Sequence, residues 1–229
     1  MIKFYFNAAP NPAKVALFLE ESGLPYEIVP VDTRKGEQHT PAFIAINPNA
    51  KLPAIDDDGA VVFDSNAILL YLAEKSGQFL PPNTLPARAQ MYSWLMFIAS
   101  GIGPYSGQYV HFRKFAPEPK VYAVNRYEFE AWRHWEILDA RLADRPYMLG
   151  DEYGLVDMAV WGWARVLPTV LGIDDPWGRL PNVKRLLDVI NARPAAQRAE
   201  ALKTRFTFKT EMDDAALQAM FPQNARLQT

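Results

Sequence analysis

The chain has no cysteine in its 229 residues. That excludes disulfide bridges, zinc–thiolate sites and any thiol nucleophile of the protein's own, and it fits an expected cytoplasmic location. Histidine is almost as scarce. His39, His111 and His134 are the only three, and none forms a ligand pair at helical spacing, so no metal is expected. An excess of one charge is missing too. Lys plus Arg is 24 and Asp plus Glu is 26, a net charge of −2. Such a balance offers no electrostatic footprint for nucleic acid or for an anionic membrane. No run reaches the roughly 18 apolar residues of a membrane span. The best candidate, 94–102, is short and runs into Gly103-Pro104. The apolar run at 15–19 is also brief, and Glu20-Glu21 stand where a leader's cleavage site would fall, so no signal peptide is expected.

What remains is an ordinary globular composition, 49% hydrophobic and 22% charged. Residues 2–6 and 26–31 read as strands. Between them Asn11 suits an N-cap and Pro12 a first helical position, ahead of an apolar helix that ends near Gly23. A strand–helix–strand run implies a parallel pair with a right-handed crossover. A loose helix over 40–46 follows. Residues 52–55 and 60–63 then form a hairpin around Asp57-Asp58-Gly59, and a helix carries Ile68, Leu69, Leu72 and Ala73 on its apolar face.

Beyond Gly77 the composition shifts. Pro81, Pro82 and Pro86 stiffen a linker, and no strand pattern appears after it. Residues 89–115 read as one long helix kinked at Gly101, Gly103 and Pro104. A second follows the spacing Val121, Val124, Glu128, Ala131, Trp135, Leu138, Leu142, apolar except at Glu128. Residues 156–167 are apolar nearly all round, which predicts a central buried helix. Shorter helices are expected at 183–192 and 195–205, with a weak amphipathic piece at 213–221. The expected division is 1–78, a linker at 79–88, and an all-helical domain with a tail at 89–229.

Two local features are out of place. Pro53 interrupts an apolar strand. It reads either as a trans proline opening a hairpin or as a cis peptide that turns the backbone of Leu52 out of the sheet toward an extended ligand. Asp64-Ser65-Asn66 stands at the foot of a helix. It reads either as a plain cap or as a site where the helix N-terminus takes a carboxylate and Asp64 an ammonium.

Asn47-Pro48-Asn49-Ala50-Lys51-Leu52-Pro53-Ala54, with Asp64-Ser65-Asn66-Ala67-Ile68-Leu69-Leu70-Tyr71-Leu72, resembles the cytosolic glutathione transferases. Pro10-Asn11 with Lys14-Val15, Gly36-Glu37-Gln38, Gly101-Ile102-Gly103-Pro104 with Gly107-Gln108, and Arg126-Tyr127 with Glu130 are similar to the bacterial Nu class. That class comprises disulfide-bond reductases related to the yeast regulator Ure2. The likeness runs from the N-terminus to about Phe206.

The resemblance implies an α/β thioredoxin-like N-terminal domain, an all-α C-terminal domain, a homodimer, and one or two molecules of glutathione per site. It implies that Pro53 is cis, that Leu52 pairs with the cysteinyl part of glutathione, and that Asp64 and Ser65 hold the γ-glutamyl ammonium and carboxylate. Gln38 and Lys51 would reach the glycyl end, and Arg126 a glutathione carboxylate. A bound glutathione brings its own thiol, so a chain without cysteine still does thiol chemistry. The donors that lower the thiol pKa must lie in 8–14. Nu-class members carry Thr two residues before the Asn, whereas this chain has Ala9. Asn11, with the backbone near Ala9, is therefore the candidate thiolate stabiliser, and a capping role for Asn11 stands beside it. Tyr105, Gln108, His111 and Phe112 are expected along the substrate cleft. Asp157 is expected to cap its helix, and Trp161 and Trp163 to pack in the core or between subunits. The implied reactions are reduction of small organic disulfides or conjugation to electrophiles. A non-catalytic glutathione-binding role is the third possibility.

Overall fold

The computed structural model describes residues 1–228. Ile2–Phe6 (β1), Pro10–Ser22 (α1) and Tyr26–Pro30 (β2) form the expected unit, with β1 parallel to β2. After two short 3-10 turns come Pro41–Ile46 (α2), Ala54–Asp57 (β3), Ala60–Phe63 (β4) and Ser65–Ser76 (α3). The sheet order is β2-β1-β3-β4, with β3 antiparallel to both neighbours. Alternation along β1 sends Ile2, Phe4 and Phe6 into the core. Tyr5 faces the other way and packs edge-on against Phe43 of α2, their ring centroids 5.7 Å apart. This is a thioredoxin-like domain.

The rest is helical: Leu85–Phe97 (α4), Gly103–Lys114 (α5), Val121–Arg141 (α6), Leu155–Ala164 (α7), Leu167–Leu171 (α8), Pro181–Asn191 (α9), Pro194–Ala201 (α10) and Asp214–Met220 (α11). All ten residues of α7 are buried, as its all-round apolar sequence predicts. One of them is a carboxylate. Asp157 accepts from the main-chain N–H groups of Gly154 (2.9 Å) and Met148 (2.8 Å), so the helix start and the preceding loop share one cap. Burial pushes its carboxyl up to about 7, against the pull of those N–H groups.

Three expectations need correction. Asn11 does not cap α1. The helix starts two residues earlier, at Pro10 rather than Pro12, with Ala9 as N-cap and no side chain closing the cap. Two prolines fit the first turn because neither needs a donor. The long helix starts at Leu85 rather than 89, since Thr84 supplies the cap to Ala87. Its kink is a π-helical turn at Ile98–Ile102: Pro104 cannot donate to the carbonyl of Ser100, and the extra residue absorbs the defect. Gly101 is required there, because a Cβ would lie 2.3 Å from the His134 ring. The stripe read along α6 also fails at its start, where Val121 is 79% exposed. The buried face begins at Glu130, held by Arg126 and Arg133 at 2.8 Å each.

Candidate active site between the two domains

A cavity of about 250 Å³ opens where α1, α3 and the π turn meet. Its polar side is Asn11, Lys14, Asp64, Ser65 and Asn66. Its apolar wall is Ile98, Ala99, Gly103 and Pro104, so the kink in the helical domain shapes the site.

At α3 the sequence folds as its composition dictates. Asp64 takes a positive φ (72°, with ψ 126°) that turns its carboxylate back over the helix start. Its Oδ1 accepts from the N–H groups of Asn66 (2.9 Å) and Ala67 (3.2 Å). Asp64 is therefore the cap, yet it stays exposed. The N–H of Ser65 keeps no partner within the helix, and the Ser65 side chain is buried. An anion at this point meets a free donor and the positive end of a helix dipole.

At α1 the donors reduce to very few. Pro10 and Pro12 have no N–H. The N–H of Ala9 is taken by Asn7 Oδ1 at 3.1 Å, so the backbone at Ala9 is not the free donor the sequence suggests. The turn itself is tied down by Arg165, whose Nη2 donates to the carbonyls of Ala8 (3.2 Å) and Ala9 (3.4 Å). Asn11 is what remains. Its main-chain N–H has no partner within the helix. Its Oδ1 accepts from Trp163 Nε1 at 2.9 Å, which fixes the amide with its NH₂ group free to donate. Trp163 is thus more than core packing. It crosses from α7 to orient the one donating side chain of the turn.

The other candidate residues are partly gathered. The Leu52–Pro53 peptide is cis. Ladder pairing of β3 begins at Ala54, leaving Leu52 outside it. Lys51 is exposed, and its ammonium acts across the cleft on His111, whose ring is held below its usual range by burial and by that charge. His111 packs against Phe221 of the tail at 4.8 Å. Tyr105 and Phe112 turn instead toward Tyr127 of α6. Gln38 is buried under α11 and donates to the carbonyl of Ala219 at 3.2 Å. Arg126 stays on α6 with Glu130 and does not line this cavity.

Lys14, Asn7 and Arg165 enter the site without having been singled out as functional. Lys14 had a signal: it is a lysine inside the otherwise apolar run 12–19, and it is 1% exposed. Among the described residues no group of His, Asp and Glu is placed to hold a metal ion, and no helix is long and apolar enough to cross a membrane.

Residues 1–74 match the family model "Glutathione S-transferase, N-terminal domain". The chain is 42% identical over 206 residues to the disulfide-bond oxidoreductase YfcG of Escherichia coli, covering 87% of this chain and 94% of that one. A glutathione transferase of Burkholderia graminis, solved with two glutathione molecules per subunit, superposes with a TM-score of 0.81 at 37% identity, covering 90% of this chain and 89% of its own. One of Pseudomonas putida, solved with one glutathione disulfide per subunit, gives a TM-score of 0.78 at 36% identity, with coverage of 87% and 90%. With this fold, this cleft and these relatives, the chain belongs to the glutathione transferase family, in the branch of the bacterial disulfide-bond oxidoreductases and the Ure2-like transferases.

Proposed function

We propose that the chain reduces small organic disulfides with glutathione as the thiol donor, and that it works as a homodimer. The observation that carries this reading is Asn11. Its NH₂ and N–H groups are the free donors at the turn, and they border the same cavity as the free N–H at Ser65. One extended tripeptide would span these points. Its γ-glutamyl carboxylate meets the start of α3, its amino group the exposed Asp64, its cysteinyl backbone Leu52, and its sulfur Asn11. Donors aimed at the sulfur favour thiolate over thiol, and each unit of pKa lowering corresponds to about 1.4 kcal/mol.

The reaction then needs no protein nucleophile. The bound thiolate attacks one sulfur of a disulfide, forms a mixed disulfide with glutathione and expels the other sulfur as thiolate. A second glutathione thiolate attacks the mixed disulfide, giving glutathione disulfide and a second free thiol. Turnover of a small dialkyl disulfide well above turnover of an aryl halide supports the reading. The reverse ratio identifies a conjugating enzyme.

Ala9 favours a second reading, a glutathione-binding protein with little turnover, because no hydroxyl stands at the N-cap of α1. Ala9→Thr separates the two. An added neutral donor at the sulfur is worth about 1 kcal/mol, or roughly fivefold in rate. That gain in disulfide turnover is expected for a catalyst. Saturable binding with turnover at background in both proteins supports the binding role instead.

The homodimer reading draws on exposed apolar side chains, Val61 and Phe63 of β4 and Tyr92 and Met96 of α4, each 43–48% exposed. Sedimentation at micromolar concentration is expected to give twice the chain mass of 25.9 kDa.

A further inference from the structure

Lys14 lies in the middle of α1 with its side chain 1% exposed. Its stem runs over α7 at Gly162, where a Cβ would come within 2.4 Å of Lys14 Cγ and 2.5 Å of the Pro10 carbonyl oxygen. Glycine at 162 thus makes the channel through which the stem reaches the cavity. At the end of that channel Nζ donates to Ser65 Oγ at 3.2 Å. An ammonium has three donors, and the structure gives this one a single hydrogen-bond partner. Among the described residues no carboxylate lies within ion-pair distance of it. A buried cation in this position is costly to the fold unless an anion joins it.

We propose that Lys14 is a positioning residue for the γ-glutamyl carboxylate of glutathione: it holds the Ser65 hydroxyl oxygen so that the Ser65 O–H and N–H both donate to that carboxylate, and it supplies the buried counter-charge. The inference rests on the glutathione reading above and adds a residue and a proton to it. The geometry forces the hydroxyl outward. An oxygen that accepts from Nζ turns its own hydrogen away from Lys14 and toward the cavity. The cavity that Nζ reaches is bordered by Asp64, the cap of α3, by Ser65 of α3, and by Ile98, Ala99 and Gly103 of the kinked wall, while Gly162 of α7 lies under the stem. Of these only Asp64 carries a charge, and it acts to raise the Lys14 pKa.

Burial, opposed by Asp64, holds Lys14 down at about 8. The sign of two effects follows. Without ligand, the unfolded chain keeps this proton up to the ordinary lysine range while the folded chain loses it near 8. Lys14 therefore costs stability below pH 8, and the cost fades as pH rises toward 10.5. With ligand, the incoming carboxylate favours the protonated ammonium, so binding takes up a proton above pH 8 and weakens as pH rises through that value.

The test is calorimetric titration with S-methylglutathione in two buffers of unlike ionisation enthalpy at pH 6.5 and 8.5. This probe has no thiol to titrate, and its amino group is common to wild type and variants, so the difference between them reports Lys14. The wild type is expected to take up protons at pH 8.5 and almost none at pH 6.5. Lys14→Met keeps the stem packing, and it is expected to bind about 10- to 100-fold more weakly at pH 6.5, the range for hydrogen bonds to a charged group. It is also expected to lose the Lys14 share of the uptake at pH 8.5, retaining that of the ligand's amino group, and to unfold at a higher temperature than the wild type when ligand-free. Lys14→Gln leaves Ser65 a neutral donor, so it should recover part of the affinity but keep only the proton uptake of the ligand's own amino group. Wild-type affinity and proton count in either variant overturn the role of Lys14 and leave the glutathione reading standing. A wild type that does not bind the probe overturns both.

Discussion

Asn11→Asp is expected to lower disulfide turnover by about 100-fold or more, the size of effect seen when one donor to a developing anion is lost. The substitution is close to isosteric. Trp163 keeps its acceptor, because Asp Oδ1 takes the place of the oxygen now 2.9 Å from the indole nitrogen. What changes is the other half of the side chain, where a donating NH₂ becomes a negative oxygen facing the sulfur. The thiol pKa of bound glutathione should rise accordingly, and the absorbance of the thiolate on titration measures it directly. Trp163→Phe makes the complementary change. It leaves the donor in place but frees it to rotate, so a smaller loss of about tenfold is expected, with folding near normal. If Asn11→Asp retained wild-type turnover and wild-type thiol pKa, the stabilising group would have to lie elsewhere.

The second large effect concerns the fold. Asp157→Ala is expected to destabilise the protein by about 4 kcal/mol. Two buried N–H groups, those of Gly154 and Met148, would lose their acceptor, and each such loss costs roughly 1–3 kcal/mol. For a chain of this size that corresponds to about 8–16 °C in unfolding temperature. Asp157→Asn retains one acceptor oxygen and should lose about half as much. Thermal unfolding followed by circular dichroism reads both. Equal values for Ala and the wild type would mean that the loop before α7 finds its acceptors elsewhere.

Much of the architecture was legible because it is written in period and punctuation. The apolar alternation of residues 2–6, the turn at Asp57-Asp58-Gly59 and the all-round apolar stretch after Gly154 each specify one element, and each formed. Boundaries failed where a proline has two meanings. Pro10 and Pro12 both fit a first turn, and the pattern alone does not say which one opens α1. The start of α3 was legible as a cap, and the cap proved to be Asp64 with Ser65 left to donate. Hidden instead were the partnerships between distant segments. That Trp163 holds Asn11, 152 positions away, depends on how α7 crosses α1, and nothing in either motif announces it. Lys14 was visible as a charge in an apolar run, but its destination depends on the missing side chain at Gly162. The fate of Gln38 was equally hidden, since it depends on a tail with no counterpart in the motifs that carried the resemblance.

That tail gives the molecule a second seam. After α10 the chain turns back to the first domain. The N–H of Lys209 donates to Asp32 at 2.7 Å, and Arg34 donates to the carbonyls of Lys209 and Thr210. The covalent connection at 77–84 joins the domains on one side, and this returning strap fastens them on the other. Neither half can swing away while the strap holds. With the core shared across both domains, denaturation should register as one melting event rather than two, and a protease that nicks the chain just before Phe206 should lower its midpoint.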